Sequence, residues 1–498
     1  MSEVPWFRDH AALEGLADRS LRSGATAVGS RAAQLLVQLG AAMILARILT
    51  PADYGVQAMV LPVAFLMNGI GQQALQSAVM QQDALTPNDA SGLFYAALPI
   101  NFGLTATMAL LGPILAWLYD EPRVVLVSVA WAAVIFVVSL SSIHEALLKR
   151  QLHFVTMARA QLSTHALSFA VAIAAALAGA GYWALMLQVA VMELGRAAAM
   201  WLLVSWRPRR ELSRTSNSHV LRRYWLGVMG ARMISWIGDQ SDRVMIGTLG
   251  GASVAGLYDS AKRWAWFPFF ELFIPLTDVA VATLSRVRND AERFRAYVRH
   301  ALRPIVSISL PVAAFMFVEA RLVLHVILGP QWLGGAVFVR WLCVAIVGAT
   351  MIRLMQWVYL STGTTMRQLR WSFVTTPVIL AAVISGGLRF GPVGVPAMLA
   401  VATCVLAVPS ALNAIRGTPL TLADCFGVIV RPLIAAVAGA LVLFAVDPRL
   451  PAVVPLLALA MRLPVFGTAY VAGWLLQPGG RRTLGELTTR ARSILRRR

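Results

Sequence analysis

The feature that most restricts this chain is a succession of apolar runs, each of about 20 residues or more, separated by short polar breaks. A helix of that length spans the hydrocarbon of a bilayer. The runs fall at 24–47, 56–80, 91–118, 122–147, 158–179, 181–204, 224–249, 254–284, 300–321, 332–360, 369–388, 393–415, 426–446 and 452–476. They predict an all-α integral membrane protein with about 14 transmembrane helices. The gaps at 180 and 250–253 rest on glycine-rich breaks, and reading through them gives a count of about 12 or 13. Only 13% of residues are charged, against about 25% in a soluble domain.

The polar breaks orient the bundle, because Lys and Arg accumulate on the cytoplasmic side. One set of loops contains the N-terminus, Lys149, Arg150 and Arg159, the segment from Arg207 to Arg223, the loop from Arg286 to Arg303, Arg367 with Arg370, Arg416, and the tail from Arg481. It holds about 28 basic residues, against about five in the opposite set (Arg47, Arg123, Arg321, Arg389 and Arg449). Both termini are expected to be cytoplasmic. The net charge of +20 is thus a topology signal: arginines lie between apolar runs, not in one patch interleaved with aromatics, which argues against nucleic acid. The N-terminal segment mixes both charge signs and has no apolar core or cleavage site, so no signal peptide is expected. Cys343, Cys404 and Cys425, each in or beside an apolar run, read as small buried hydrophobes without a disulfide or zinc framework.

An internal echo divides the chain. LTPADYG after the first run resembles LGGASVAG, with Leu257 and Tyr258, after the seventh. Parallel repeats of six helices are a common transporter plan. The expected organisation is a cytoplasmic leader at 1–23, an N-terminal six-helix lobe at 24–204, a basic cytoplasmic linker at 205–223, a C-terminal six-helix lobe at 224–415, two further transmembrane helices at 416–476 and a basic cytoplasmic tail at 477–498.

Within this frame Arg232–Asp278 stands apart: it is apolar enough to cross twice, yet carries nine charged side chains. An ionised side chain near a bilayer centre costs about 3 kcal/mol on insertion scales, so such residues face a protein interior or a watery cavity. Arg232, Asp239 and Arg243 are spaced to fall within about 40° of one another on a helix face, with Asp242 beside them. Asp259, Lys262, Arg263 and Trp266 share a face of the following helix, and Glu271 and Asp278 share another. The charges are expected to mark a path from leaflet to leaflet. The plainer alternative makes Asp239 and Arg243 an i,i+4 pair that neutralises itself inside the bundle. Trp264, Trp266 and Phe267 to Phe270 read as lipid-facing or core aromatics, while Pro268 and Pro275 kink the helix. Arg31 lies within the first run, about one turn from its centre, and Arg353 lies in the tenth, in QWLGGAVFVRWLCVAIVGATMIRLMQW. Glu193 and Arg196 read as a local i,i+3 pair, and His144 with Glu145 as interfacial.

Several segments resemble, in order and spacing, the Wzx-like polysaccharide flippases of the multidrug/oligosaccharidyl-lipid/polysaccharide exporter superfamily. They are LARILTPADYG (45–55), VMQQDALTPNDASGLFY (79–95), LLKRQLHF (147–154), GYWAL (181–185), SWRPR (205–209), SDRVMIGTLGGASVAGLYDSAKR (241–263) and LSRVRNDAERFRAYVR (284–299). The resemblance implies a fourteen-helix, two-lobed protein of the bacterial inner membrane that works by alternating access. Its implied substrate is an undecaprenyl-pyrophosphate-linked oligosaccharide for O-antigen, capsule or exopolysaccharide assembly. On that reading Arg31, Arg232, Arg243, Lys262, Arg263 and Arg353 are the substrate-binding candidates, since guanidinium and ammonium groups attract a pyrophosphate. Asp239, Asp242, Asp259, Glu271 and Asp278 are the candidates for coupling to H+ or Na+. No cofactor, metal or nucleic acid is implied; membrane lipids and a polysaccharide polymerase machinery are the expected partners.

Two other classes compete. A lipid II exporter of the same superfamily would use the same arginines, whereas a multidrug exporter for cationic substrates would want an acidic excess. A polyprenyl-linked membrane glycosyltransferase or ligase needs a substantial extracytoplasmic loop for its catalytic groups, and the loops TPADYG, YDEPR, GAG and LGPQ are too short. No GxxxxGK[ST] phosphate loop occurs, which argues against direct ATP drive within this chain.

Overall fold

The computed structural model describes residues 34–80, 85–151, 153–209, 218–447, 451, 453–478 and 480. Arg31, the leader, the centre of the basic linker and the tail from 481 lie outside the described residues, as do the side chains of Arg232 and Asp278.

The described residues form helices and no strands. In chain order they are α1 (Gln34–Ile48), α2 (Pro51–Met80), α3 (Pro87–Tyr119), α4 (Arg123–Ser139), α5 (Ser142–Arg150), α6 (Phe154–Leu177), α7 (Tyr182–Leu203), α8 (Ser218–Val287), α9 (Ala291–Val318), α10 (Ala320–Ile327), α11 (Ala336–Thr362), α12 (Thr365–Ile415), α13 (Leu422–Val446) and α14 (Pro455–Leu475). Eight helices among the described residues are long and apolar enough to cross a membrane, and α4 with α5, bent by 43°, make a ninth candidate. Their outward faces carry bare apolar side chains such as Leu110, Trp117 and Leu202. Hydrocarbon, not water, suits such a surface.

Local chemistry sets several helix starts. Thr50 and Asp53, Thr86 and Asp89, and Thr421 and Asp424 each form a reciprocal capping box, in which the Thr hydroxyl accepts the Asp backbone N–H and the Asp carboxylate accepts the Thr backbone N–H. Pro51 and Pro87 occupy the first helical position, where a missing N–H costs nothing. The bend between α4 and α5, unexpected within a single run at 122–147, sits at a serine cluster: Ser139 and Ser141 turn their hydroxyls onto the carbonyls of Phe136 and Val138. Part of the basic segment expected as a loop from Arg286 to Arg303 is helical, because Asp290 caps α9 through the Arg293 N–H. Cys343 and Cys425 are buried as expected, whereas Cys404 is exposed on α12.

Two long helices are broken by glycine. Gly251 in α8 (φ 64°, ψ −171°) and Gly391 in α12 (φ 65°, ψ −158°) adopt backbone that side-chain-bearing residues avoid, so each helix becomes two arms. The arms are 218–250 and 252–287 in α8, and 365–390 and 392–415 in α12.

The chain divides into two compact units, one running to Trp236 and including Gly250–Gly256, the other comprising Ile237–Leu249 and Leu257 onward. In the first, α3 packs on α4, α6 on α7, and α2 on α3, α4, α5 and α7. Its cores gather Leu147, Met200 and Trp206 in one cluster and Leu45, Phe169 and Ala184 in another. The two turns that echo each other in sequence meet here: a Cβ on Gly55 would lie 1.6 Å from the Ala252 carbonyl oxygen, and one on Gly256 would lie 1.8 Å from that of Pro51. In the second unit α11 packs on α9 and α12, and α13 on α9 and α14, around Phe269, Leu284, Phe294, Ile305 and Trp357.

Candidate functional site

The break at Gly251 lays the two arms of α8 side by side, so that residues before the break meet residues after it. Asp242 on the first arm is 1% exposed and accepts hydrogen bonds from the Tyr258 hydroxyl and, at 2.6 Å, from Lys262 Nζ, both on the second arm. Lys262 Nζ also reaches the Asp239 carbonyl oxygen at 3.2 Å. Arg243 crosses to Asp259 at 2.8 Å and donates to Gln240 Oε1 at 2.7 Å. Asp259 also takes Arg263 at 3.2 Å, one helical turn further on. From α11, Arg353 donates to Asp239 Oδ1 at 3.1 Å, its guanidinium 5.8 Å from the centre of the Phe270 ring.

These pairings differ from the self-neutralising Asp239–Arg243 pair that helix periodicity offers. Asp239 bonds across to α11, and Arg243 prefers the deeply buried Asp259, where an uncompensated charge would be most costly. Asp239, Asp242, Arg243, Lys262, Arg263, Glu271 and Arg353 all line one cavity of about 550 Å³, with Asp259 buried behind them. Arg31, Arg232 and Asp278 cannot be located in it, the first lying outside the described residues and the side chains of the other two likewise.

Apolar side chains complete the walls: Ala345, Ala349 and Ile352 from α11, and Ile379 and Leu399 from α12, with Thr403 among them. Trp266, Phe267 and Phe270 line the cavity too, and Trp266 and Phe270 also pack against the core, as expected. The reason is periodicity: positions 263, 266, 267 and 270 fall on one helical stripe, and Arg263 heads it. Phe269, off that stripe, goes to the core as expected.

The cations and carboxylates balance: Arg243, Lys262, Arg263 and Arg353 against Asp239, Asp242, Asp259 and Glu271. They are not equally committed. The carboxylates of Asp242 and Asp259 are 2% and 3% exposed, whereas Asp239 and Arg263 are about half exposed. Two donors, the Trp266 indole N–H and Arg243 Nε–H, have no hydrogen-bond partner among the described residues. Buried donors are rarely left so. The site can thus accept an anion at its open edge while its inner pairs hold the donors in place.

A second network, in the first unit, forms around Glu145. Glu145 is buried and takes both Arg196 and, at 2.8 Å, Lys149, while Arg196 also holds Glu193 at 2.8 Å, the local pair expected from spacing. His144 is wholly buried, its ring stacked on Trp201 at 4.2 Å between centroids. The adjacent Lys149 and Arg150 suggest a helix end, which hid the burial of Glu145 and His144; the apolar stripe Ile143, Ala146, Leu147 was the available signal.

The described residues make an all-helical protein with eight or nine apolar helices long enough to cross a membrane, around a cavity lined by charge. Residues 44–337 match the family described as polysaccharide biosynthesis protein, and the chain belongs to that family. It is 28% identical over 297 residues to the succinoglycan biosynthesis transport protein ExoT of Rhizobium meliloti (strain 1021), a match covering 58% of each chain. The chain spans less than two thirds of the length of the first curated relatives it matches. Its fold is similar to that of the lipid II flippase MurJ in an inward closed conformation, with TM-score 0.72 and 11% identity over 91% of this chain and 98% of that one. It is also similar to an inward-facing multidrug resistance MATE family transporter of the MOP superfamily, with TM-score 0.59 and 15% identity over 77% and 94%. The resemblance read from the sequence therefore stands, and the relative and fold neighbours it is similar to bear the names of a transport protein, a flippase and a transporter.

Proposed function

We propose that this protein flips an undecaprenyl-pyrophosphate-linked oligosaccharide across the bacterial inner membrane by alternating access, for assembly of a surface or secreted polysaccharide. The observation that carries the reading is the cavity that four cations share with carboxylates of unequal commitment. A pyrophosphate entering at the open edge would take Arg263 and Arg353, the latter by displacing Asp239, and would find the unpartnered Trp266 and Arg243 donors beyond. Asp239, freed of its partner, becomes the carboxylate that binds a proton or Na+, and the alternation of these two partners for Arg353 shifts the balance between inward and outward states. Asp242 and Asp259 hold the cations in position.

The proposed topology counts α1, α2, α3, the bent α4–α5 pair, α6, α7, both arms of α8, α9, α11, both arms of α12, α13 and α14 as fourteen crossings with both termini cytoplasmic. They group as lobes at 24–204 and 224–415 joined by the linker 205–223, with 416–476 appended. Polysaccharide polymerase machinery receives the flipped product. A carrier of cationic drugs would want an acidic excess in the cavity, and the balance there does not supply one.

The test is the lipid pool of a deletion strain complemented with the wild-type or the Arg263→Ala/Arg353→Ala chain. Undecaprenyl-linked oligosaccharide should accumulate on the cytoplasmic leaflet in the deletion and with the variant, and clear with the wild type. Loss of viability with unchanged surface glycan would transfer the reading to lipid II; normal lipid and glycan pools would sink it.

A further inference from the structure

A second cavity, of about 400 Å³, lies in the second unit at the ends of its helices. There α9 stops at Val318, Glu319 turns the chain into the eight-residue α10, and α13 ends at Asp447. Its charged lining is Glu319, Arg321, His325, Arg340, Asp447 and Arg462. Arg462 uses both carboxylates: its Nε lies 2.6 Å from Asp447 Oδ1 and 3.2 Å from Glu319 Oε1. Neither carboxylate pairs with any of the other cations among the described residues. Arg321 and His325, four residues apart on one face of α10, and Arg340 on α11 have no hydrogen-bond or ion-pair partner among the described residues.

Two guanidinium groups held on two helices around one hollow repel one another unless an anion joins them, and the imidazole beside them can add a further N–H donor. A phosphate suits the geometry, since a guanidinium offers it two parallel N–H donors. What carries the phosphate is indicated by the surroundings. Exposed Phe317, Trp341 and Leu463 are the immediate chain neighbours of the lining residues Val318, Arg340 and Arg462. Leu322 and Leu333 line the cavity itself. A charged hollow with apolar neighbours, beside the ends of α9 and α13, suits a ligand with an anionic head and apolar chains.

We propose that this cavity binds an anionic glycerophospholipid, its phosphate between Arg321 and Arg340 with His325 as a third donor, and its acyl chains along the apolar flank. The lipid is a resident ligand, separate from the transported substrate, and the proposal stands whatever that substrate is.

The test uses the full-length protein, delipidated in detergent and titrated with phosphatidylglycerol or phosphatidylcholine, with bound lipids counted by native mass spectrometry. The wild type should retain phosphatidylglycerol in preference to phosphatidylcholine, and Arg321→Ala/Arg340→Ala should lower that retention by about tenfold or more, the worth of one charge-assisted hydrogen bond or better. Both side chains are exposed, so the variant should melt with the wild type in the absence of lipid, and Arg321→Lys/Arg340→Lys should restore part of the binding. Arg293→Ala, a surface arginine of α9 outside the cavity, should change nothing. Equal retention of the two lipids, unchanged retention in the double alanine variant, or displacement of the phosphatidylglycerol by millimolar inorganic phosphate alone would each overturn the proposal.

Discussion

In the first unit Glu145 gathers Arg196 and Lys149 from within a packed core, and the network ends there; in the second, Asp259 gathers Arg243 and Arg263, and the network runs on to a cavity wall. Both begin from a carboxylate buried among helices, and both satisfy it with two cations. The difference lies at the periphery. Arg196 and Glu193 are both under one-fifth exposed, so each member of that outer pair is fixed by packing. Asp239 and Arg353, the outer pair of the second unit, are bonded yet open, and water or a ligand can reach both. Burying an ion pair fixes a structure at a cost in desolvation, whereas leaving one edge open lets partners exchange.

The largest effect should come from the inner carboxylates. Glu145→Ala and Asp259→Ala each leave cations buried without compensation, and each should destabilise its unit by about 3–5 kcal/mol, visible as a lower melting temperature in detergent and a smaller folded yield. Per folded molecule, the Glu145 variant should transport as the wild type does, because its network touches no part of the cavity lining. A Glu145→Ala protein that folds normally but fails to transport would erase the distinction between the networks. The next effect separates them from the other side. Arg353→Ala removes an exposed pair, so stability should move by no more than about 1 kcal/mol while transport falls about tenfold or more. If Arg353→Ala melted as far below the wild type as Glu145→Ala, the second network would be structural as well.

Much of this comparison was visible in the sequence, but its partners were not. Apolar runs announce helices because the bilayer demands a fixed length, and the paired glycines at 250 and 251 announced the break in α8. Charges in Arg232–Asp278 announced a cavity because hydrocarbon excludes them. Which carboxylate takes which cation depends on contacts between distant residues: Asp239 meets Arg353 across 114 positions, and Glu145 meets Arg196 across 51. Periodicity orders side chains along one helix and says nothing of its neighbour. The 43° bend at Leu140 was missed for a related reason, since serine hydroxyls bend a helix only when they turn back on its own carbonyls, and sequence does not show which way they turn.

The smallest effect concerns carboxylates outside the spanning helices, where the units again differ in sign. Glu121, between α3 and α4, accepts two bonds of 2.8 Å from the Arg123 guanidinium, and that hydrogen bonding holds its carboxyl below the usual value near 4.5 against a weaker opposing effect of burial. Glu319, after α9, is pushed above that value by burial, which Arg462 only partly offsets and Asp447 reinforces. For Glu121 the folded state binds its proton less tightly than the unfolded chain, so its contribution is present above about pH 4.5 and is lost as pH falls through the lowered folded value. For Glu319 the sign reverses: its contribution is full below about pH 4.5 and is lost as pH rises through the raised value. Melting curves should therefore show Glu121→Gln slightly less stable than the wild type at pH 7 and level with it in acid. Glu319→Gln should be slightly more stable at pH 7, where Arg462 keeps Asp447 as its partner, and lose that advantage in acid. Parallel pH profiles for the two variants would show that burial and pairing act alike on these loops, and the contrast between the units would then be confined to their buried networks.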